Sequence, residues 1–276
     1  MVFIEAFLLG IIQGFTEFLP VSSSGHLVVF PFFIGSESEL IHSLAFDAFV
    51  HGGTLAAVFF YFRKKLKALA AGFLRGLVSA EKRTEPDFKL ALSIIAATVP
   101  AVIAALLFKD VIQNEFRGAP NVGINLIIFG IILFAADKAG RKNKKFYEIG
   151  MRAALIIGVF QALALMPGVS RSGITITAAL FLGFARKDAA EFSFLLSVPA
   201  ILGAFIFMLP EISYAEGEGV KTAGILAAGF ISAAAAGFSA IKLLLDFVKK
   251  YSYGVFAAYR LLLGIFIILF FAGNRA

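Results

Sequence analysis

Apolar residues fall in long blocks along this chain, parted by short segments that carry most of its lysines and arginines. An apolar run of about 20 residues crosses a hydrocarbon core, whereas roughly 10–14 more often mark a buried or re-entrant segment. Six blocks predict full spans: 43–62, 88–108, 122–137, 189–209, 222–244 and 254–272. Residues 2–34 and 151–184 differ. Each is a pair of short apolar segments, broken at Leu19-Pro20-Val21-Ser22-Ser23-Ser24-Gly25-His26 and at Met166-Pro167-Gly168-Val169-Ser170-Arg171-Ser172-Gly173. Both predict re-entrant helical hairpins whose tips lie inside the membrane. The expected fold class is an all-α integral membrane protein with six transmembrane helices and two re-entrant hairpins.

The two breaks resemble one another. At a constant offset of 148, Gly10, Gln13, Val21, Ser22, Ser24 and Gly25 fall on Gly158, Gln161, Val169, Ser170, Ser172 and Gly173. A duplicated unit is expected, residues 1–140 and 145–276 of a single membrane domain, each a hairpin followed by three spans. A hairpin returns to its starting side and three spans cross, so the halves take opposite orientations, an inverted-topology repeat. Charge tests this independently, because lysine and arginine collect on the cytoplasmic side. The loops 63–89, 138–152, 186–191 and 242–250 hold 19 of the 25 basic residues, and the opposite side holds Lys109, Arg117, Lys221 and Arg275. The first hairpin is therefore expected to enter from outside and the second from the cytoplasm, with tips meeting near the midplane.

Composition agrees. Hydrophobic residues make up 60% of the 276 and charged residues 16%, with a mean hydropathy of +0.91; soluble domains are about 45–50% apolar and about 25% charged. The net charge of +7 does not indicate a nucleic-acid partner, since the basic residues sit between spans. With no cysteine, disulfides, thiol catalysis and cysteine-ligated metals are excluded. The start, Met1 to Glu5, lacks a basic signal-peptide stretch and is expected to be retained.

Broken helices in lipid are tolerated where protein or a watery cavity satisfies the freed backbone groups, and helix N-termini pointing inward suit an anion. The first hairpin offers Gln13, Glu17, Ser22, Ser23, Ser24 and His26 at such a place, the second Ser170, Arg171, Ser172 and Thr175. A carboxylate in a membrane segment is a functional candidate by default. Glu17 shares a helix face with Gln13 four residues earlier. The guanidinium of Arg171 matches phosphate oxygens bidentately; a structural lock between Glu17 and Arg171 is the lesser alternative. His26 is a candidate general acid or phosphate donor, or a bridge to backbone carbonyls. Any one serine could be only a helix cap; their density beside Arg, Glu and His favours chemistry. Asp47 and His51, also four apart, are expected to support the hairpins by hydrogen bonds rather than to hold a metal. Glu191 and Ser193 occupy a similar place in the second half, and Arg260 is expected to snorkel to the cytoplasmic interface. Small residues at 227–237 suit close helix packing.

These motifs carry a family resemblance. The run from Gln13 to His26 resembles the first signature of the undecaprenyl-pyrophosphate phosphatase family linked to bacitracin resistance. Residues Pro167 to Thr175 resemble its second, Pro-Gly-x-Ser-Arg-Ser-x-x-Thr, and Phe46–Thr54 and Glu191–Pro199 also resemble family segments. Gln13 stands where Glu is common, a variant the family accepts. The resemblance implies hydrolysis of undecaprenyl or another polyprenyl pyrophosphate to the monophosphate carrier of cell-wall synthesis. It also implies a divalent cation (Mg²⁺ or Ca²⁺), a plasma-membrane site open to the outer face, and a homodimer. By position it makes Glu17, Ser23, His26 and Arg171 catalytic, Glu17 also a metal ligand, and Gln13, Ser22, Ser24, Ser170, Ser172 and Thr175 substrate-binding. A covalent phosphoserine and direct attack by water both fit. The acid-phosphatase type of lipid phosphatase does not, because Thr177 stands where that type has a second His. A transporter or lipid flippase using the same anion-binding cavity is the alternative from another class.

Overall fold

The structure, a computed structural model, describes residues 1–34, 38–116, 118–212 and 219–273. Arg117 and Arg275, assigned above to the sparsely charged side, lie outside the described residues. Among these described residues ten α-helices follow in order: α1 Val2–Phe18, α2 Ser23–Ile34, α3 Leu44–Val78, α4 Pro86–Glu115, α5 Ala119–Ala139, α6 Met151–Ala162, α7 Arg171–Phe181, α8 Arg186–Ile212, α9 Gly219–Phe247 and α10 Gly254–Gly273. Among the described residues there is no strand beyond one isolated bridge between Lys144 and Phe184.

Among the described residues six helices are long and apolar enough to cross a membrane: α3, α4, α5, α8, α9 and α10. They coincide with the six predicted spans. The difference lies in α3, which runs 35 residues instead of ending near 62. Phe62 alone leaves helical geometry (φ −97, ψ 16), marking a kink at the point where Arg63 begins the basic segment. No proline follows until Pro86, and Gly72 and Gly76 are tolerated within it, so the helix continues as a basic arm to Val78. There Lys65 pairs with Glu191 at 2.7 Å and lies 3.4 Å from the centre of the Phe146 ring, which puts Glu191 among the basic residues.

Each predicted break appears as a helix, a turn and a second helix. Pro20 and Pro167 hold the residues before them extended, Leu19 at ψ 139 and Met166 at ψ 123, because a proline ring disfavours the helical region for its predecessor. At about 1.5 Å per residue, the 12, 12 and 11 residues of α2, α6 and α7 are too short to cross a bilayer.

Packing crosses between the two ends of the chain. Helix α1 lies against α9, α6 against α4, α5 against α10, and α3 against both α8 and α9. Small residues set the closest approaches. A Cβ on Gly10 would fall 2.4 Å from the Gly229 carbonyl oxygen, and one on Gly158 would fall 2.4 Å from that of Ala97. The small stripe at 227–237 is thus occupied within the chain. The main core gathers Phe18, Phe62, Phe192, Phe194 and Leu195 beside aliphatic residues of α4, α6 and α7, with Phe18 meeting Phe194 edge to face at 5.3 Å.

At the basic end, Asp137 closes the bundle. Its carboxylate accepts from Arg186 Nε and Nη2 at 2.6 and 3.1 Å and from the Tyr253 backbone at 3.0 Å. The Tyr253 hydroxyl returns to the Arg186 carbonyl at 3.1 Å. One buried carboxylate therefore joins α5, α8 and the turn before α10.

Candidate active site at the two breaks

Turn chemistry at the breaks decides what faces the interior. Ser22 and Ser170 have left-handed φ of 76° and 70°, which a side chain with a Cβ adopts at a cost. Each hydroxyl then accepts from the backbone N–H three residues on, Gly25 at 3.3 Å and Gly173 at 3.1 Å, capping α2 and α7. Each also lies close to the serine two residues on, Ser24 at 3.1 Å and Ser172 at 3.3 Å. The breaks then clasp one another: Gly168 N–H donates to Ser24 Oγ at 3.2 Å, and Ser172 Oγ donates to the Leu19 carbonyl at 3.2 Å.

Glu17 sits where donors converge, one turn before the first break. Its Oε1 accepts from Arg171 Nη2 at 2.7 Å, and its Oε2 accepts from Ser23 Oγ at 3.0 Å and Gln13 Nε2 at 3.1 Å. His51 Nε2 stands 3.8 Å from the same Oε2, its other nitrogen meeting the Asp47 carbonyl at 2.7 Å. The Glu17 and Arg171 side chains are 8% and 14% exposed and His51 is 31% exposed, so His51 is the most open of the three. Four of the residues proposed from sequence are thereby in direct contact, although 154 positions separate Glu17 from Arg171.

Others are held apart from that contact. The Thr175 hydroxyl is buried and bonded to the Arg171 and Ser172 carbonyls and, at 2.7 Å, to Ser193 Oγ. With Arg171 Nη1 donating to the Ser193 carbonyl at 3.0 Å, Thr175 and Ser193 brace the arginine. His26 is held elsewhere: its Nδ1 meets the Ser22 carbonyl at 2.7 Å and its Nε2 the Tyr259 hydroxyl at 2.6 Å, the rings parallel to within 1°. Asp47 contributes its backbone carbonyl to His51.

The structure corrects one expectation. Arg260 does not snorkel: it is 0% exposed and bonds to four backbone carbonyls at the breaks and α5. A signal existed, since an arginine inside an apolar span is functional by default, and its five donors match the carbonyls that two broken helices leave free. Tyr259, its neighbour, and Asn125, which donates to the Pro167 carbonyl at 2.8 Å, carried no motif.

For a metal, the donor set is thin. Among the described residues no group of three or more His, Asp or Glu converges; Glu17 with the nearby His51 is the nearest approach. That suits a cation brought in by phosphate oxygens and held by one carboxylate, as Mg²⁺ often is, rather than an all-protein cage.

Comparison with known proteins shows the family. The family model described as bacitracin resistance protein BacA matches residues 6–266. Undecaprenyl-diphosphatase of Rubrobacter xylanophilus is 44% identical over 257 residues, covering 93% of this chain and 94% of that protein. The protein of that name from Elusimicrobium minutum is 44% identical over 269 residues, 98% of each chain. The one from Methanosphaera stadtmanae is 38% identical over 275 residues, 96% of this chain and 97% of its own. With both break motifs inside the matched residues, the chain belongs to the bacitracin resistance protein BacA family.

Proposed function

We propose that this protein removes the terminal phosphate of undecaprenyl pyrophosphate, releasing inorganic phosphate and leaving the monophosphate lipid. The observation that carries this reading is the buried contact of Glu17 with both Arg171 and Ser23, formed across two helix breaks in a membrane protein whose relatives bear the name undecaprenyl-diphosphatase. The relatives named above are named for the phosphatase and lend no support to the transporter or flippase alternative.

In this reading the terminal phosphate binds between the breaks, against Arg171 and the free N–H groups opening α2 and α7. It takes over Arg171 donors that Glu17 otherwise holds, for phosphoryl transfer is chiefly positioning and charge neutralisation. Ser23 Oγ, whose proton points at Glu17, attacks phosphorus while Glu17 accepts that proton, and the bond to the lipid phosphate oxygen breaks. Water then hydrolyses the phosphoserine. Ser22, Ser24, Ser170 and Ser172 fix the breaks, Thr175 braces Arg171, and Gln13 orients Glu17. His26, one turn beyond Ser23 on α2 and tied to Tyr259, exchanges protons with the leaving phosphate. Asp47 holds the His51 ring against Glu17. A divalent cation, Mg²⁺ or Ca²⁺, held by Glu17 and the pyrophosphate oxygens, would neutralise charge on the leaving group. An apolar groove of about 360 Å³ lined by Phe15, Leu19, Leu243, Leu244, Asp246, Phe247 and Phe256 reaches the first break and suits part of the prenyl chain.

The same reading makes α1–α2 and α6–α7 re-entrant hairpins of an inverted repeat spanning 1–140 and 145–276. It is supported by the matched φ angles, caps and serine pairs of the breaks and by the crossed packing of α1 on α9 and α6 on α4. The exposed edge of the site, His51, lies about two turns into α3, at the end that charge bias places outside, which favours an outer-face opening in the plasma membrane. A homodimer follows from the resemblance and is tested by cross-linking in membranes.

Phosphate release from a C55 pyrophosphate by purified protein, with and without EDTA, tests the function; absence of release across metals and chain lengths overturns it. Rapid-quench trapping tests the serine step: a phosphoenzyme in the parent protein and none in Ser23→Ala is expected, whereas turnover with no phosphoenzyme points to direct attack by water.

A further inference from the structure

Arg260 is the largest fully buried side chain among the described residues, and no carboxylate there lies within ion-pair distance of it. A charge buried at membrane depth without a counter-ion needs a reason. Its donors all go to backbone carbonyls. Nε reaches Leu126 at 3.3 Å, Nη1 reaches Pro20 at 3.4 Å, and Nη2 reaches Gly168 at 3.0 Å and Val169 at 2.9 Å. One guanidinium therefore holds carbonyls of both breaks at once, and only the planar fork of arginine presents donors in so many directions.

Space is reserved for it. A Cβ on Gly173, in the first turn of α7, would lie 2.7 Å from Arg260 Nη1, and one on Gly130 of α5 would lie 3.1 Å from the Arg260 Cβ. Resting on the reading that the breaks bind the phosphate, we infer that Arg260 is a positioning residue for phosphoryl transfer, tying carbonyls of both breaks away from the substrate so that, at the second break, the Ser170 N–H faces it. A trans peptide is planar and its N–H points opposite to its C=O. Where Arg260 draws the Val169 carbonyl toward itself, the Ser170 N–H is turned the other way, and among the described residues it has no acceptor. The left-handed φ of Ser170 belongs to the same arrangement. Carbonyl oxygens left facing a pyrophosphate would repel it; turned back, they leave the Ser170 donor at the place where charge develops, while the Val21 and Val169 N–H groups donate to the Leu19 and Met166 carbonyls.

Arg260→Met and Arg260→Lys test this, with Gly173→Ala as a variant that keeps the arginine and intrudes on its berth. Alanine is the better helix former by about 1 kcal/mol, so local stability alone predicts that Gly173→Ala is tolerated. Positioning predicts instead that Arg260→Met and Gly173→Ala lower kcat about a hundredfold with KM little changed, and that Arg260→Lys recovers part of it. Amide hydrogen exchange on the protein alone should speed up at both breaks together, residues 20–25 and 168–173, in Arg260→Met. Unchanged kcat in Arg260→Met, or, should that variant not fold, unchanged kcat in Gly173→Ala, overturns the inference. So does exchange confined to one break. Failure of the parent protein to release phosphate would instead overturn the function, leaving the exchange result to judge the clamp.

Discussion

Glu17→Ala takes away the carboxylate on which Arg171, Ser23 and Gln13 converge. Opposite unit charges about 4 Å apart attract by about 4 kcal/mol at an effective dielectric near 20. Removing one partner of a buried pair costs about 3–5 kcal/mol, because the survivor stays buried and uncompensated. After Glu17→Ala, Arg171 keeps only its bond to the Ser193 carbonyl at 14% exposure, so the full range applies. Arg171→Ala strands Glu17 in the same way, whereas the double variant strands neither. Thermal unfolding of the four proteins in detergent should therefore be non-additive, with a coupling of about 2–3 kcal/mol. Phosphate release should behave differently. The singles lose the base or the phosphate donor, each about 10²- to 10⁴-fold for acid–base roles, and the double recovers nothing. Glu17→Gln sharpens the contrast, keeping the shape while losing the charge that takes the proton of Ser23. A structural lock predicts the reverse: rates that follow the melts and rise again in the double variant. Recovery of turnover in the double variant, or near-normal turnover in Glu17→Gln, would refute the reacting-pair assignment.

Three further outcomes are expected. Tyr259→Phe removes the 2.6 Å partner of His26 Nε2 and should lower kcat several-fold, in keeping with one hydrogen bond of about 1 kcal/mol; an unchanged kcat would remove His26 from the proton path. Asp137→Asn leaves Arg186 without its charge partner, and since that arginine is 28% exposed the loss should sit at the low end, about 3 kcal/mol. It should show as a lower melting temperature with normal turnover below the melt. Because the chain has no cysteine, Glu39→Cys and Thr84→Cys are clean topology probes at exposed positions. An impermeant maleimide should label the first on intact cells and the second only after permeabilisation, and the opposite pattern would invert the orientation drawn from charge.

The spans were legible because lipid leaves a helix few choices: an apolar run long enough to cross must satisfy its own backbone groups. The breaks were legible for the complementary reason, since Pro20 and Pro167 cannot continue a helix and serines supply the caps. What stayed hidden is long-range. Nothing near Gly10 says that its partner is the Gly229 backbone, and nothing near Ala97 says that it faces Gly158; close packing is a property of pairs, and a single sequence shows only one member at a time. The continuation of α3 beyond Phe62 was hidden because an apolar run ends where lipid ends, not where a helix must. Arg260 was misread for a related reason. A long cationic chain several residues inside a span can reach the interface or turn inward, and which it does depends on carbonyls freed some 90 and 240 positions away.

The serines at the two breaks connect the fold to the site. A non-glycine residue in a sparsely populated backbone region costs about 1–3 kcal/mol, and glycine at 22 and 170 would avoid that cost. Glycine has no hydroxyl, however. Each of these hydroxyls caps the helix that follows and touches the serine that clasps the opposite break. The strain persists because the surrounding contacts over-determine it: a proline before, a cap after, and for Ser170 the Arg260 bond to the carbonyl of Val169. Straightening either turn would free its carbonyls into the interior and loosen the α2 and α7 N-termini that frame Glu17 and Arg171. Two strained serines at matching places, each in a turn that both ends the approach helix and opens the next, are thus what a short break needs if it is to face an anion with donors while its acceptors are tied behind it.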